Sequence, residues 1–304
     1  MATVDTRPAP LTWVGTMPAL FVLLWSTGFI GAKLGLPYTE PFTFLLVRFT
    51  TLAVILVLAS LILRAPWPKN WAEVFHLMVS GLLVHGVYLG AVFYSISIGL
   101  STGITALIVG MQPLLTALVA RSYLGEQISP KQWTGLILGF CGIVLVVTRK
   151  IAFNSLEGVG VVSAAIALVG ITLGVLYQKR HCSGMDLRSG SAIQFIPCVG
   201  LMAILASLFE SMEITWTGQF VFALVWLVVV LSLGAITLLY ILIHRGAATQ
   251  VASLFYLVPP VVAVLGYFLF GEELGWIAII GMAVAVLGVA LVTADGKKQP
   301  QYGR

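Results

Sequence analysis

Apolar stretches of about 20 residues, the length a helix needs to cross the hydrocarbon core of a bilayer, recur from one end of this chain to the other with no long hydrophilic segment between them. Only 9% of the 304 residues are charged, against about 25% in a soluble domain. An ordinary water-soluble globule is therefore excluded, and the lipid bilayer is the expected surrounding. The net charge of +5 would suggest nucleic acid in a soluble protein. Here the basic residues sit between apolar runs, where they orient helices, so no nucleic-acid partner is expected. The start "MATVDTRPAPLTWVG" leads into a run of full spanning length without an A-x-A pattern, so the first run is expected to remain as a helix. Cys141, Cys182 and Cys198 are too few and too dispersed for a disulfide framework or a metal cluster, and no cofactor is expected.

Runs bounded by charged residues, Gly, Pro or Trp predict ten transmembrane helices, an all-α integral membrane protein. They lie at about 13–33, 42–63, 73–98, 102–121, 130–148, 158–178, 189–209, 218–242, 247–270 and 275–293. With a cytoplasmic N-terminus, the inner segments hold 12 of the 16 Lys and Arg, and the outer loops hold only Arg149 and Lys150. Both termini are thus predicted inside, in a plasma membrane that is the inner membrane in a bacterium. Trp13, Trp67, Trp71, Trp133, Trp216 and Trp276 fall at predicted helix ends, where an indole can bury its ring and keep its N–H in the headgroup zone.

"LGEQI" at 124–128 and "FGEEL" at 270–274 each close an apolar run, and their Gly-Glu pairs are 146 residues apart (271 − 125). The same offset pairs Gly28 with Gly174, Lys33 with Lys179, Phe49 with Phe195, Tyr94 with Tyr240, Ala106 with Ala252 and Pro113 with Pro259. The chain reads as a duplicated five-helix unit, residues 1–148 and 149–304. Because five is odd, the second copy enters the membrane from the opposite side. Inverted repeats of this kind let a pathway open alternately to each face about a central cavity, which is what a transporter requires.

The Lys after "LLWSTGFIGAK", the "LVRF" opening the second helix, the Pro within helix four and the "LGE" and "FGEE" turns resemble the ten-helix EamA branch of the drug/metabolite transporter superfamily. Within it the chain is most similar to bacterial exporters of aromatic amino acids. The resemblance implies a basket of helices one to four and six to nine around a cavity, with helices five and ten at the periphery.

Several residues could line such a pathway. Pro113 and Pro259 lie midway along helices four and nine, where the missing N–H frees the carbonyls of Val109 and Phe255 and bends the helix. They are candidate gating hinges, or only shape packing. Gln112 beside the first bend could meet a substrate or satisfy a freed backbone group. His85, Tyr88 and Ser95 share one face of helix three, too polar a face for lipid. Trp25, Phe29 and Lys33 form a stripe on helix one. Lys33 and Lys179 could each meet a substrate carboxylate near one mouth, or snorkel to the headgroups. Tyr177 and Tyr256 are further candidates, since a tyrosine in an apolar run needs a polar partner.

No Asp or Glu falls at the membrane midplane, which argues against an acidic ion relay and leaves His85 as the side chain placed for proton coupling. Downhill export is the simpler expectation. No G-x-S-x-G, H-E-x-x-H or intramembrane acidic pair is present, so an enzyme is not expected. The leading reading is an exporter of amino acids, aromatic and bulky apolar ones included. The alternative is a carrier of phosphorylated or nucleotide-linked sugars or other small metabolites, for which only Lys33, Lys179 and Arg48 could supply the cations. Small-residue stripes, Gly135, Gly139 and Gly142 against Gly281, Ala285 and Gly288, fit packing within a monomer or between the copies of a homodimer.

Overall fold

The structure, a computed structural model, describes residues 11–100, 102–147, 157–270 and 275–296. The first half comprises α1 (Leu11–Gly35), α2 (Pro41–Ile62), α3 (Trp71–Gly81) and α4 (Tyr88–Ser97), the last two joined without a break by a π-helical segment, Leu82–Val87. α5 (Thr102–Val109) and α6 (Gln112–Tyr123) are separated at Gly110 and Met111, and α7 (Pro130–Val147) follows. The second half comprises α8 (Glu157–His181), α9 (Leu187–Phe209), α10 (Gly218–Trp226), a π-helical segment (Leu227–Ala235) and α11 (Ile236–Arg245). α12 (Ala248–Ser253) passes through a 3₁₀ turn (Leu254–Leu257) into α13 (Val258–Phe270), and α14 (Trp276–Gly296) completes the described chain.

The sequence offset governs these boundaries. α8 begins and ends 146 residues after α1 (157 − 11 and 181 − 35), and α14 begins 146 after α7 (276 − 130). The π-helical segment at 82–87 maps into the one at 227–235, and the break at 110–111 maps onto the end of the 3₁₀ turn. Helix starts have local causes. Asn70 accepts from the Glu73 N–H at 2.8 Å while the Glu73 carboxylate takes the Asn70 amide, a reciprocal cap. Thr217 accepts from Phe220 N–H, and Asp186 from Arg188 N–H. The guanidinium of Arg188, bonded to Asp186, holds that carboxyl below its usual range.

Eight helical stretches among the described residues are long and apolar enough to cross a membrane, among them Pro41–Ile62, Trp71–Ser97 and Gly218–Arg245. The interrupted stretch at 102–123 and the shorter α7 stand outside that count. Leu58, Ile62, Phe209 and Phe268 are exposed on the outside of the bundle, a surface suited to lipid. The interior is aromatic: Phe21, Phe44, Phe49, Phe195 and Phe220 are almost wholly enclosed.

Among the contacts that fasten the halves together are a helix cap and a tight helix crossing. The Glu210 carboxylate accepts from the N–H groups of Phe42 (2.7 Å) and Thr43 (2.6 Å) and from the Thr43 hydroxyl. It thereby occupies the positive end of α2, whose first residue is a proline. Elsewhere α7 and α14 cross so closely that only small residues fit. A Cβ on Gly135 would stand 2.7 Å from the Gly288 carbonyl oxygen, and one on Gly142 would stand 2.6 Å from that of Gly281. One index rises as the other falls, so the two helices run antiparallel, and the small-residue stripes meet within the chain.

Gly135→Val is expected to wedge this crossing apart at a cost of about 1–3 kcal/mol. Gly200→Ala, at a position with nothing within 4 Å of an added Cβ, is the control. Thermal melting in detergent should show a lower transition for the first variant only; equal transitions would mean the crossing tolerates bulk.

Candidate functional site

α1, α2, the α3–α4 rod and the second π-helical segment enclose a cavity. Its wall is aromatic, with Trp25, Phe29, Tyr88 and Phe93, and its polar members are Arg48 and His85. The space open to the centre of a water molecule is about 30 Å³, room for about two waters. A second, smaller cavity shares Trp25, Phe29 and Tyr88, and continues to Val109 and Gly110 on one side and Phe255 and Pro259 on the other. The helix interruptions of both halves therefore border the same space. The Trp25 ring stacks on Tyr88 at 6.2 Å and meets Phe255 edge-on at 5.2 Å.

The first π-helical segment carries His85. Such insertions are frequent at functional sites because they turn a side chain out of the regular register. His85 is buried, its ring stacks on Phe195 at 4.3 Å, and Nε2 shares a 2.9 Å hydrogen bond with the Tyr240 hydroxyl. Nδ1 has no partner. Elsewhere in the bundle Gln178 accepts from the Ser80 hydroxyl and, at 2.7 Å, from the Gln194 amide. The second π-helical segment carries Ser232, whose hydroxyl donates to the Leu227 carbonyl and accepts from Nε and Nη2 of Arg48 at 3.3 and 2.9 Å.

The sequence candidates divide accordingly. Trp25, Phe29, His85 and Tyr88 come together on the cavity wall. Ser95 is buried on the same rod but bonds to the Val92 carbonyl and to Thr105. Gln112 is buried with neither amide atom partnered, and the Tyr256 hydroxyl is likewise unpartnered; neither lines the larger cavity. Tyr177 is half-buried against His76, at 2.6 Å. Lys33 is exposed near the end of α1 and outside the cavity lining. Pro113 and Pro259 each stand in the first turn of a helix that follows an interruption. The Phe255 carbonyl, expected to be free, accepts from the Val258 N–H, because the 3₁₀ turn shortens the bond that the proline prevents.

Lys179 meets neither a cavity nor the headgroups, and Glu126 is its partner. Lys179 Nζ donates to Glu126 at 3.0 Å and to the Gly246 carbonyl at 2.6 Å. The Glu126 carboxylate also accepts from Ala248 N–H (2.8 Å) and the Thr249 hydroxyl (3.1 Å), so it caps α12 in the other half rather than α7, which follows it in sequence. Its counterpart Glu272 lies outside the described residues. Ser232 and Tyr240 were missed as site residues, and Arg48 was weighed only as a cation for the sugar-phosphate alternative. The signal for Arg48 was present, since it is a full charge within an apolar run, where ionisable residues mark function by default.

The model of the EamA-like transporter family matches residues 12–148 and again 158–294. The chain belongs to that family. The two EamA matches start and end 146 residues apart (158 − 12 and 294 − 148), the offset already visible in single residues. The chain is 28% identical to the uncharacterized transporter YvbV of Bacillus subtilis over 96% of its own length and 95% of the relative's. It is 28% identical to the uncharacterized inner membrane transporter YedA of Escherichia coli (strain K12), over 92% of this chain and 90% of that one. It is 24% identical to protein PecM of Dickeya dadantii, over 90% and 89%. A crystal structure at 20% identity superposes with a TM-score of 0.78 over 95% of this chain and 99% of its own, and so shares the fold. This EamA protein is accordingly a multi-pass membrane transporter and not an enzyme.

Removing the Glu126 charge tests the clamp between the halves. Glu126→Gln leaves the Lys179 ammonium without its anion and weakens the α12 cap, a loss of about 1–3 kcal/mol. The melting temperature in detergent should fall by several degrees, and an unchanged value would show that the pair contributes nothing.

Proposed function

We propose that this EamA transporter exports amino acids, aromatic and other bulky apolar ones included, by alternating access without ion coupling. The observation that carries the reading is the cavity itself. Trp25, Phe29, Tyr88 and Phe93 offer flat apolar surfaces, Arg48 and His85 supply the polar contacts, and the interruptions of both halves border the adjoining space. A mostly apolar wall with few directed polar groups accepts side chains of varied shape.

In this reading the membrane is crossed ten times, the 102–123 stretch and α7 being added to the eight longer spans. The repeats, residues 1–148 and 149–304, lie in opposite senses, which the antiparallel crossing of α7 and α14 supports. Both termini then face the cytoplasm, and a bacterial inner membrane fits the YedA relationship. Pro113 and Pro259 act as paired hinges, because bending at either alters a wall of the same cavity. The Glu126–Lys179 clamp closes the cytoplasmic side while the outer side is open.

Neither cavity is lined by an Asp or Glu among the described residues, which favours downhill transport. The sugar-phosphate alternative is disfavoured by the cations. Lys179 is engaged with Glu126 and Lys33 stands outside the cavity lining, so Arg48 is left where a phosphate would draw on several.

Counterflow in proteoliposomes tests this. Labelled phenylalanine, tryptophan and leucine should enter saturably at a rate insensitive to collapse of a pH gradient. Absence of saturable uptake for every amino acid would contradict export of amino acids. Uptake that ceases when the gradient is collapsed, and becomes insensitive to it in His85→Ala, would replace the facilitative mechanism by proton coupling.

A further inference from the structure

Arg48 is wholly buried, with no carboxylate among the described residues as its partner. Of the five N–H groups of its guanidinium, one on Nε and one on Nη2 go to the Ser232 hydroxyl, and Nη1 has no partner. Ser232 cannot neutralise the charge. Its proton is committed to the Leu227 carbonyl and its oxygen only accepts. A guanidinium held in a low-dielectric interior against one neutral oxygen and the Phe49 ring, 5.9 Å away, has no counter-charge, a costly arrangement relieved by an anion that arrives from outside.

The repeat sharpens the point. The position 146 residues after Arg48 is Gln194 (48 + 146), and there the amide donates to Gln178 within a neutral network. The second half thus places an uncharged amide at this position, its Oε1 unpartnered, whereas the first half places a cation at it. Arg48 lines the same cavity as His85, whose Nδ1 is also buried and unpartnered, and as the aromatic wall of Trp25, Phe29 and Tyr88.

We propose that Arg48 is the receptor for the carboxylate of the transported molecule. Ser232 holds the guanidinium so that Nη1 is left for the substrate, His85 offers Nδ1 to the polar end, and the aromatic wall takes the apolar body. The occupant is a monoanionic carboxylic acid bearing a bulky apolar group. A lone guanidinium balances one such charge and forms the short, charge-assisted bonds a carboxylate prefers. The proposal rests on the amino-acid reading for the site but not for the ammonium group, so the two can fail separately.

The test uses the full-length protein in proteoliposomes with four probes: phenylalanine, phenylalaninamide (no carboxylate), phenylacetate (no ammonium) and glucose 6-phosphate. The wild type should transport the carboxylate-bearing probes and discriminate against the amide. In Arg48→Gln, carboxylate transport should fall by about 10- to 100-fold, as expected for loss of a charged hydrogen bond, while residual transport of the amide should not fall. Arg48→Lys should recover part of the loss. A melting transition in detergent establishes that each variant is folded. If Arg48→Gln misfolds, Ser232→Ala, which frees the guanidinium without removing it, should raise KM for phenylalanine more than for the amide; equal changes would overturn the proposal. Transport of phenylacetate but not phenylalanine, dependent on Arg48, would refute the amino-acid reading and uphold the carboxylate receptor. Wild-type carboxylate transport in a folded Arg48→Gln variant would overturn it. So would Arg48-dependent transport of glucose 6-phosphate alone, or failure of every carboxylate probe.

Discussion

A polar group without a partner in hydrocarbon costs several kcal/mol, and the architecture of this protein follows from that single constraint. Among the described residues the backbone is helical almost throughout, and caps such as Asn70–Glu73 and Glu210 on α2 satisfy helix starts. Buried hydroxyls return to their own helix: Ser26 to Val22, Thr172 to Leu168 and Ser60 to Leu56. Against that background the unpartnered atoms stand out, and two of them, Arg48 Nη1 and His85 Nδ1, belong to residues on the wall of one cavity. The others, on Gln112, Thr116, Gln194 and Tyr256, lie outside that wall, so the cavity is where an unpartnered cation and an unpartnered imidazole nitrogen occur together.

On the proposed alternating-access reading, duplication is what makes that cavity movable. Each half carries a π-helical insertion in its third rod and an interruption in its fourth. The insertions present His85 and Ser232, and the interruptions border the adjoining cavity. A helix bent at such a point has backbone groups that can change partners, as Phe255 already does by accepting from Val258. The tight crossing of α7 with α14, by contrast, gives the bundle a rigid reference. Flexibility and rigidity are thus assigned to different helices, and both assignments occur twice.

Much of this was legible in the residues. Helix positions, the offset of 146 and the inward face of His85 and Tyr88 follow from hydropathy and periodicity, because lipid imposes a strong and local rule. Partnership between distant segments was not legible. Lys179 read as a free cation because nothing local shows that Glu126, 53 residues away, bonds it. Tyr240 bonds His85, whereas Tyr94, its repeat partner, stacks on Phe42. The offset relates positions and not roles. Arg48 was weighed only as a cation for the alternative substrates; its meaning comes from the missing counter-ion, a property of three-dimensional packing.

The central claim is that the cavity beside Arg48 opens to each side of the membrane in turn. It is tested most directly by one thiol placed in its wall, Leu231→Cys, in a chain whose three native cysteines have been replaced. A membrane-impermeant maleimide applied from one side and then, in inverted vesicles, from the other reads the accessibility of that thiol. The account predicts labelling from both sides, slowed on each by a transported amino acid. Labelling from one side only, or labelling unaffected by substrate while transport proceeds, would contradict it.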